Sequence, residues 1–235
     1  MPRLALVGYG KMGKMLDQLS PEFDFETVLR LDEFNNAGGA GMTPANFHNV
    51  DVAIEFSTPH TAVANIEALA RLGISAVVGT TGWTAELERV KRVAQDNNVG
   101  LVWSPNFSIG VNIFTRLASE AARLMAREES YGAWAWEIHH ITKKDAPSGT
   151  LVQLVDRMKA AGYGRAVDVS SSRAGAHPGT HEIGFDSAAD TITLRHVARN
   201  REGFARGALR AAQWLVQTKR KGLMAFDEVL FGGEA

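Results

Sequence analysis

The sequence predicts an α/β protein: a doubly wound parallel sheet joined to a second, α+β domain with a mixed or antiparallel sheet. Three observations carry this expectation. Through the first half of the chain, short apolar runs alternate with helical patterns of about ten residues, the rhythm of parallel βαβ units. A glycine-rich turn directly follows the first apolar run. From Val167 onward the pattern changes to apolar–polar alternation, as in antiparallel strands with one wet face.

Leu4-Ala5-Leu6-Val7 is a continuous apolar run, suited to a strand buried on both faces. It leads into Gly8-Tyr9-Gly10-Lys11-Met12-Gly13 and a helical pattern through Met12, Met15, Leu16 and Leu19. This is the Gly-x-Gly-x-x-Gly fingerprint in its strand–turn–helix context, so the sheet is predicted to be a Rossmann-type dinucleotide-binding domain. The first glycine makes the tight turn, the second lets the backbone approach a pyrophosphate, and the third allows close helix packing. A second strand over 27–31 ends at Asp32-Glu33, roughly twenty residues beyond the glycines, where a carboxylate accepts hydrogen bonds from an adenosine ribose. That position favours NADH; Arg30 and Lys11 could each face the 2'-phosphate of NADPH, so dual use stays open. The alternation continues with strand 52–56, helix 60–71, strand 74–78, helix 84–96 and strand 99–103. Ser57-Thr58-Pro59, Gly79-Thr80-Thr81-Gly82 and the segment opening Ser104-Pro105-Asn106-Phe107 then fall at carboxyl ends of strands, the edge where such sheets bind ligands.

The character changes after Asn106: helix 112–127, strand 133–139, a further helix, then a hairpin of strands Thr180–Asp186 and Thr191–Val197 about Ser187-Ala188-Ala189-Asp190. A last helix over 204–219 ends in Lys219-Arg220-Lys221, which complements a helix carboxyl end. The expected division is residues 1–107 with 201–235 as the cofactor domain and 108–200 inserted as the substrate-binding and oligomerisation domain.

The densest chemistry lies in Glu137-Ile138-His139-His140-Ile141-Thr142-Lys143-Lys144-Asp145-Ala146-Pro147-Ser148-Gly149-Thr150. Pro147 disfavours helix at Ala146, while Ser148 is a good N-cap for the apolar run Leu151, Val152, Leu154, Val155, Met158. The N–H groups of Gly149 and Thr150 then stand at a helix N-terminus, where a carboxylate or phosphate is welcome. Singly, the histidines read as a partly buried pair, the lysines as a solvated turn and Ser148 as a cap. Gathered in one place, they describe a segment that binds an anion and moves a proton.

This string resembles the signature of the dihydrodipicolinate reductases, enzymes of lysine and diaminopimelate biosynthesis, whose motif reads roughly Glu-x-His-His-x-x-Lys-x-Asp-Ala-Pro-Ser-Gly-Thr. The resemblance implies NAD(P)H-dependent reduction of 4-hydroxy-tetrahydrodipicolinate, with His139 as proton donor, Lys143 as catalytic or carboxylate-binding group, and His140, Ser148, Gly149 and Thr150 holding the substrate's carboxylates. Gly79-Thr80-Thr81 and Ser104-Pro105-Asn106-Phe107 resemble the family's nicotinamide-flanking segments. With Gly8, Gly10, Lys11, Met12, Gly13 and Asp32 they form the expected cofactor set, and a homotetramer is implied. Ile141-Thr142 replaces a common Arg-His pair and Leu151 a small residue, so the local field is expected to be less positive than usual. Arg173-Ala174-Gly175 and Gly179-Thr180-His181 also resemble family motifs, but the sequence assigns them no catalytic role. Two other readings remain at this point: another two-domain NAD(P)-dependent amino-acid dehydrogenase, or a non-catalytic dinucleotide sensor.

The composition is ordinary for a folded soluble protein. The 235 residues carry a net charge of −1 and seven histidines, so nothing calls for nucleic acid or an anionic membrane. There is no cysteine, which removes disulfides, thiolate catalysis and Cys-held metals, and no metal is expected. The amino terminus runs into its glycines without a signal-peptide pattern, and no apolar run reaches the ~20 residues of a membrane span, so a cytoplasmic protein is expected.

Overall fold

The computed structural model describes residues 1–232. In chain order its main elements are β1 (Arg3–Val7), α1 (Lys11–Leu19), β2 (Glu26–Leu31), α2 (Pro44–Phe47), β3 (Val52–Glu55), α3 (Pro59–Arg71), β4 (Ala76–Val78), α4 (Leu87–Asp96), β5 (Gly100–Trp103), α5 (Ile109–Met125), β6 (Gly132–His139), α6 (Gly149–Ala160), β7 (Val167–Arg173), β8 (Thr180–Asp186), β9 (Thr191–Val197), α7 (Glu202–Thr218), β10 (Gly222–Ala225) and α8 (Phe226–Phe231). The chain divides into two compact units, Met1–Ser108 with Phe204–Ala235, and Ile109–Gly203.

The first unit is built on a six-stranded parallel sheet in the order β10-β5-β4-β3-β1-β2. Leu4, Ala5, Leu6 and Val7 are fully buried, as a central parallel strand covered on both faces must be. Strand order reverses between β1 and β3, since the chain runs outward from β1 to β2 and then crosses back. The loops leaving β1 and β3 therefore diverge and leave a crevice at their carboxyl ends. One face of the sheet packs Ala62, Ile66 and Leu69 of α3 and Val90 and Ala94 of α4 against Ala5, Ala53, Ala76 and Leu101.

The second unit is a four-stranded mixed sheet, β7-β6-β8-β9, in which β6 runs parallel to β7 and antiparallel to β8. Its inner face, Ala133 and Ala135 of β6 with Ile183 and Phe185 of β8, meets Phe114, Ala118 and Ala122 of α5 and Leu151, Leu154 and Met158 of α6. Further along β6 the same face carries Glu137 and His139 instead of alanine, because side chains two apart in a strand share a face. The core thus gives way to chemistry at one end of the strand.

The helix expected over 84–96 begins as a 3-10 turn, Thr84–Glu86, before α4. β10, α2 and α8 have no counterpart in the elements read from sequence.

Candidate active site

The nucleotide crevice is shaped by its glycines. Gly8 has φ +98°, and a Cβ there would collide with the carbonyl of Phe56, so the turn closes only with glycine. A Cβ on Gly13 would strike the Gly8 carbonyl, which is the close packing of α1 on the turn. Gly10 differs: its missing Cβ would point into open space. The first turn of α1 starts there, with Lys14 N–H donating to the Gly10 carbonyl at 3.0 Å. Gly8, Gly10 and Asp32 line a cleft of about 1140 Å³ together with Phe34, Ser57 and Thr58. Asp32 Oδ1 accepts the main-chain N–H groups of Phe34 and Asn35 at 2.9 and 3.0 Å, which fixes the turn after β2. The lysine lining the cleft is Lys14; Lys11 and Met12 do not line it. An open cradle at a helix N-terminus with a carboxylate at the end of the next strand fits a dinucleotide: Gly8 and Gly10 beside a pyrophosphate, Asp32 on a ribose.

The other expected cofactor residues sit at the ends of β4 and β5 and do not themselves line that cleft, although Gly79 and Thr80 pack against Phe56 and Ser57, which do. Gly79 leaves room for the Phe56 ring, and Thr80 Oγ1 accepts the Ser57 N–H at 2.8 Å. Phe107 is buried between Phe56 and Phe226, with ring centroids 6.4 and 4.8 Å away, so only its main chain is available to a ligand. Ser104 Oγ donates to the Asn106 carbonyl at 2.8 Å and tightens that loop, in which Pro105 is exposed; Thr81 is exposed as well. Beneath Ser57, buried Glu55 is pushed above the usual carboxylate range by desolvation, which outweighs the hydrogen bonds it accepts from Ser57 and Asn65.

In the second unit, Ser148 caps α6: its Oγ accepts the Leu151 N–H at 3.2 Å. The Ala146–Pro147 bond before it is cis. Ser148 is only 1% exposed, because its N–H donates to Glu137 Oε1 at 2.8 Å and its hydroxyl donates to Glu137 Oε2. What reaches the surface at this helix entrance is Gly149, exposed and with nothing within 4 Å of its absent Cβ, and part-buried Thr150. Lys143 Nζ lies 2.9 Å from the exposed Asp145 carboxylate, which is held below its usual range chiefly by that ammonium. His140 Nδ1 bonds Thr142 Oγ1 at 2.7 Å, and Lys144 is exposed.

His139 is buried at the end of β6, 8% exposed. Burial lowers its pKa; Glu137 pulls the other way, and Lys143, Arg173 and His140 push it down further. The chain thus brings an imidazole, an ammonium group and a helix N-terminus to one end of one sheet, an arrangement that can clamp a dianion and give up a proton.

Two models of one family match almost the whole chain: "Dihydrodipicolinate reductase, N-terminus" over residues 2–107 and "Dihydrodipicolinate reductase, C-terminus" over residues 110–230. The chain belongs to the dihydrodipicolinate reductase family. It is 32% identical over 238 residues to the 4-hydroxy-tetrahydrodipicolinate reductase of Christiangramia forsetii, with 97% of each chain covered. To that of Methanoregula boonei it is 35% identical over 254 residues, 94% of each. Among solved structures, the dipicolinate-bound dihydrodipicolinate reductase of Paenisporosarcina sp. TG-14 aligns with a TM-score of 0.79 at 24% identity, over 97% of this chain and 98% of that one; this likeness is one of fold.

Arg173 and His181, given no role from sequence, lie directly behind the family motif. Arg173 stands opposite His139 in the β6–β7 register, and His181 opposite Glu137 in the β6–β8 register. Arg173 Nη2 donates to Glu137 Oε1 at 3.0 Å and also reaches the Asp145 carbonyl. His181 Nε2 lies 3.2 Å from Ser148 Oγ, and its ring packs edge-on against His139 with centroids 5.1 Å apart. Glu137, His139 and His181 are of metal-binding types. Here, however, the carboxylate is committed to Ser148, Ser171 and Arg173, and the guanidinium already supplies the neutralising charge. The signal that would have found them is strand register, which sets Arg173 opposite His139 and His181 opposite Glu137.

Proposed function

We propose that this chain reduces 4-hydroxy-tetrahydrodipicolinate to tetrahydrodipicolinate with NAD(P)H, in lysine and diaminopimelate biosynthesis. Family membership supports this, and the observation that carries it is the convergence of His139, Lys143 and the α6 entrance at one end of the mixed sheet. The nicotinamide, when bound, would supply the hydride for C4 of the unsaturated ring, from which the 4-hydroxyl has first departed as water. The chain's own residues do the rest. Lys143, His140 and the Gly149 and Thr150 amides, set by the Ser148 cap, hold the two carboxylates and orient the ring. His139 gives a proton to the carbon next to C4; its lowered basicity makes the ring a ready donor, and a dianion bound beside it favours the charged form beforehand.

For the coenzyme we infer that NADH serves at least as well as NADPH. Arg30, the guanidinium nearest the ribose carboxylate in sequence, is engaged by Asp17 through Nε and Nη2, each at 2.7 Å, rather than free for a 2'-phosphate. Asp32 faces the cleft and would repel that phosphate. Asp32→Ala is expected to move the kcat/KM ratio towards NADPH; a strong NADPH preference in the wild type would remove Asp32 from this role. A homotetramer is part of the same reading, supported by Trp134, Trp136 and Ile138, which stand incompletely buried on the outer sheet face, and light scattering tests it. A cytoplasmic location goes with a nicotinamide-dependent biosynthetic step and is tested by fractionation.

The deciding experiment is a coupled assay. Pyruvate, aspartate semialdehyde and the preceding synthase generate substrate while nicotinamide absorbance is followed. Synthase-dependent oxidation of NADH or NADPH is expected, and its absence would overturn the assignment.

A further inference from the structure

Glu137 is fully buried and collects its partners from three strands and a helix cap. Ser148 donates twice, Ser171 Oγ donates at 3.0 Å and Arg173 at 3.0 Å. These bonds outweigh the cost of desolvation and keep the carboxylate below its usual range, hence ionised. Its Oε2 also lies 3.3 Å from His139 Nδ1 and 3.4 Å from His181 Nε2. The Nδ1 of His139 is buried and, among the described residues, makes no aligned hydrogen bond; the Glu137 carboxylate stands beside it at ion-pair distance. The opposite nitrogen, Nε2, faces Gly179. A Cβ on that residue would stand 2.9 Å from Nε2, and φ of +136° disfavours any side chain there.

We propose that Glu137 is a positioning residue for the reaction: held by Ser148, Ser171 and Arg173, its carboxylate selects the Nδ1–H form of His139 and sustains the charged imidazole, leaving Nε2, beside Gly179, as the atom that donates the proton. This rests on His139 being the proton donor. Glu137 itself reaches neither substrate nor cofactor.

The charges around His139 explain why such a residue is needed. From the loop after β6 come His140 and Lys143, the latter paired with Asp145; from β7 comes Arg173; from β8 comes His181, itself influenced by His196 of β9. Apart from Asp145, all are cations or potential cations. Burial and these cations oppose charging of His139, and the Glu137 carboxylate favours it. Without it the imidazole would hold its proton only at lower pH.

The test is the titration of His139 by NMR in histidine-labelled, substrate-free protein, alongside kcat/KM against pH. In Glu137→Gln the His139 transition is expected to fall by about one pH unit. The falling alkaline limb of the rate profile should move down with it, and turnover should drop by roughly tenfold or more. Glu137→Asp should restore most of the shift, which a merely structural role would not require. Removing the carboxylate leaves part-buried Arg173 without its anion, so Glu137→Gln could lose its fold. Arg173→Gln covers that case and must move the His139 transition the opposite way, upward. An unmoved transition in folded Glu137→Gln, or a downward one in Arg173→Gln, overturns the proposal. Because the titration needs no substrate, a shift without reductase turnover would fault the proposed reaction and spare the placement of His139; turnover without a shift would do the reverse.

Discussion

His139 and Lys143 are four positions apart, yet their surroundings separate their tasks. His139 is enclosed by the sheet, whereas Lys143 keeps its ammonium at the rim on the exposed Asp145. His139→Ala should therefore lower kcat by roughly 10² to 10⁴-fold, the range for a lost general acid, with a smaller effect on substrate affinity. Lys143→Ala should impair turnover and also weaken binding of a planar pyridine dicarboxylate by calorimetry. Lys144→Ala should be mild. A Lys144 variant that loses activity while Lys143→Ala keeps it would place the clamp on the wrong lysine. These residues were legible because the motif that carries them is contiguous. Glu137 was visible in the string, but its partner Arg173 is 36 positions away and meets it only through the pairing of β6 with β7, which is a tertiary fact.

At the scale of elements, two glycines with open space over them stand at the two helix entrances proposed to take anions, while others are committed to the fold. Gly10 precedes α1 and Gly149 opens α6, and neither missing Cβ meets protein atoms. Gly10→Val should abolish dinucleotide affinity in calorimetry and leave thermal unfolding close to wild type. Gly8→Val, whose side chain would enter the Phe56 backbone at positive φ, should fail to fold or melt far earlier. Gly149→Val should weaken the dicarboxylate without touching dinucleotide binding. Equal loss of stability in Gly10→Val and Gly8→Val would show that Gly10 is structural. Elements with strong periodicity were readable within a few residues: the hairpin Thr180–Asp186 and Thr191–Val197 fell where its alternation put it. The four-residue strand β10 was not, because it is a strand only by pairing with β5, and Gly222-Leu223-Met224-Ala225 has no pattern of its own.

Across the whole molecule, buried titratable groups give the two units opposite responses to acid. In the second unit, burial depresses His139, His196 and most of all His181, which falls to about 4. An unfolded chain takes up these protons near the ordinary histidine value of 6.5, so below that pH it binds more protons than the native state and stability falls as pH falls. Glu55 in the first unit has the reverse sign: its raised pKa adds stability below the ordinary carboxylate value, and that contribution fades as pH rises. Acidification from pH 7 to pH 5 should thus weaken the histidine-bearing unit first. For His181 alone, the gap between about 4 and 6.5 amounts to about 2 kcal/mol at pH 5. His181→Gln keeps a hydrogen-bonding side chain beside Ser148 and removes the titration. Its stability in urea should therefore drop between pH 7 and pH 5 by about 2 kcal/mol less than that of the wild type, whatever the cost of the substitution at pH 7. Hydrogen exchange, corrected for its intrinsic pH dependence, should show the wild-type loss of protection in β6 and β8 rather than in β3 and β4. If the variant's stability falls with acid as steeply as that of the wild type, the buried neutral imidazole of His181 is not what makes this sheet acid-sensitive.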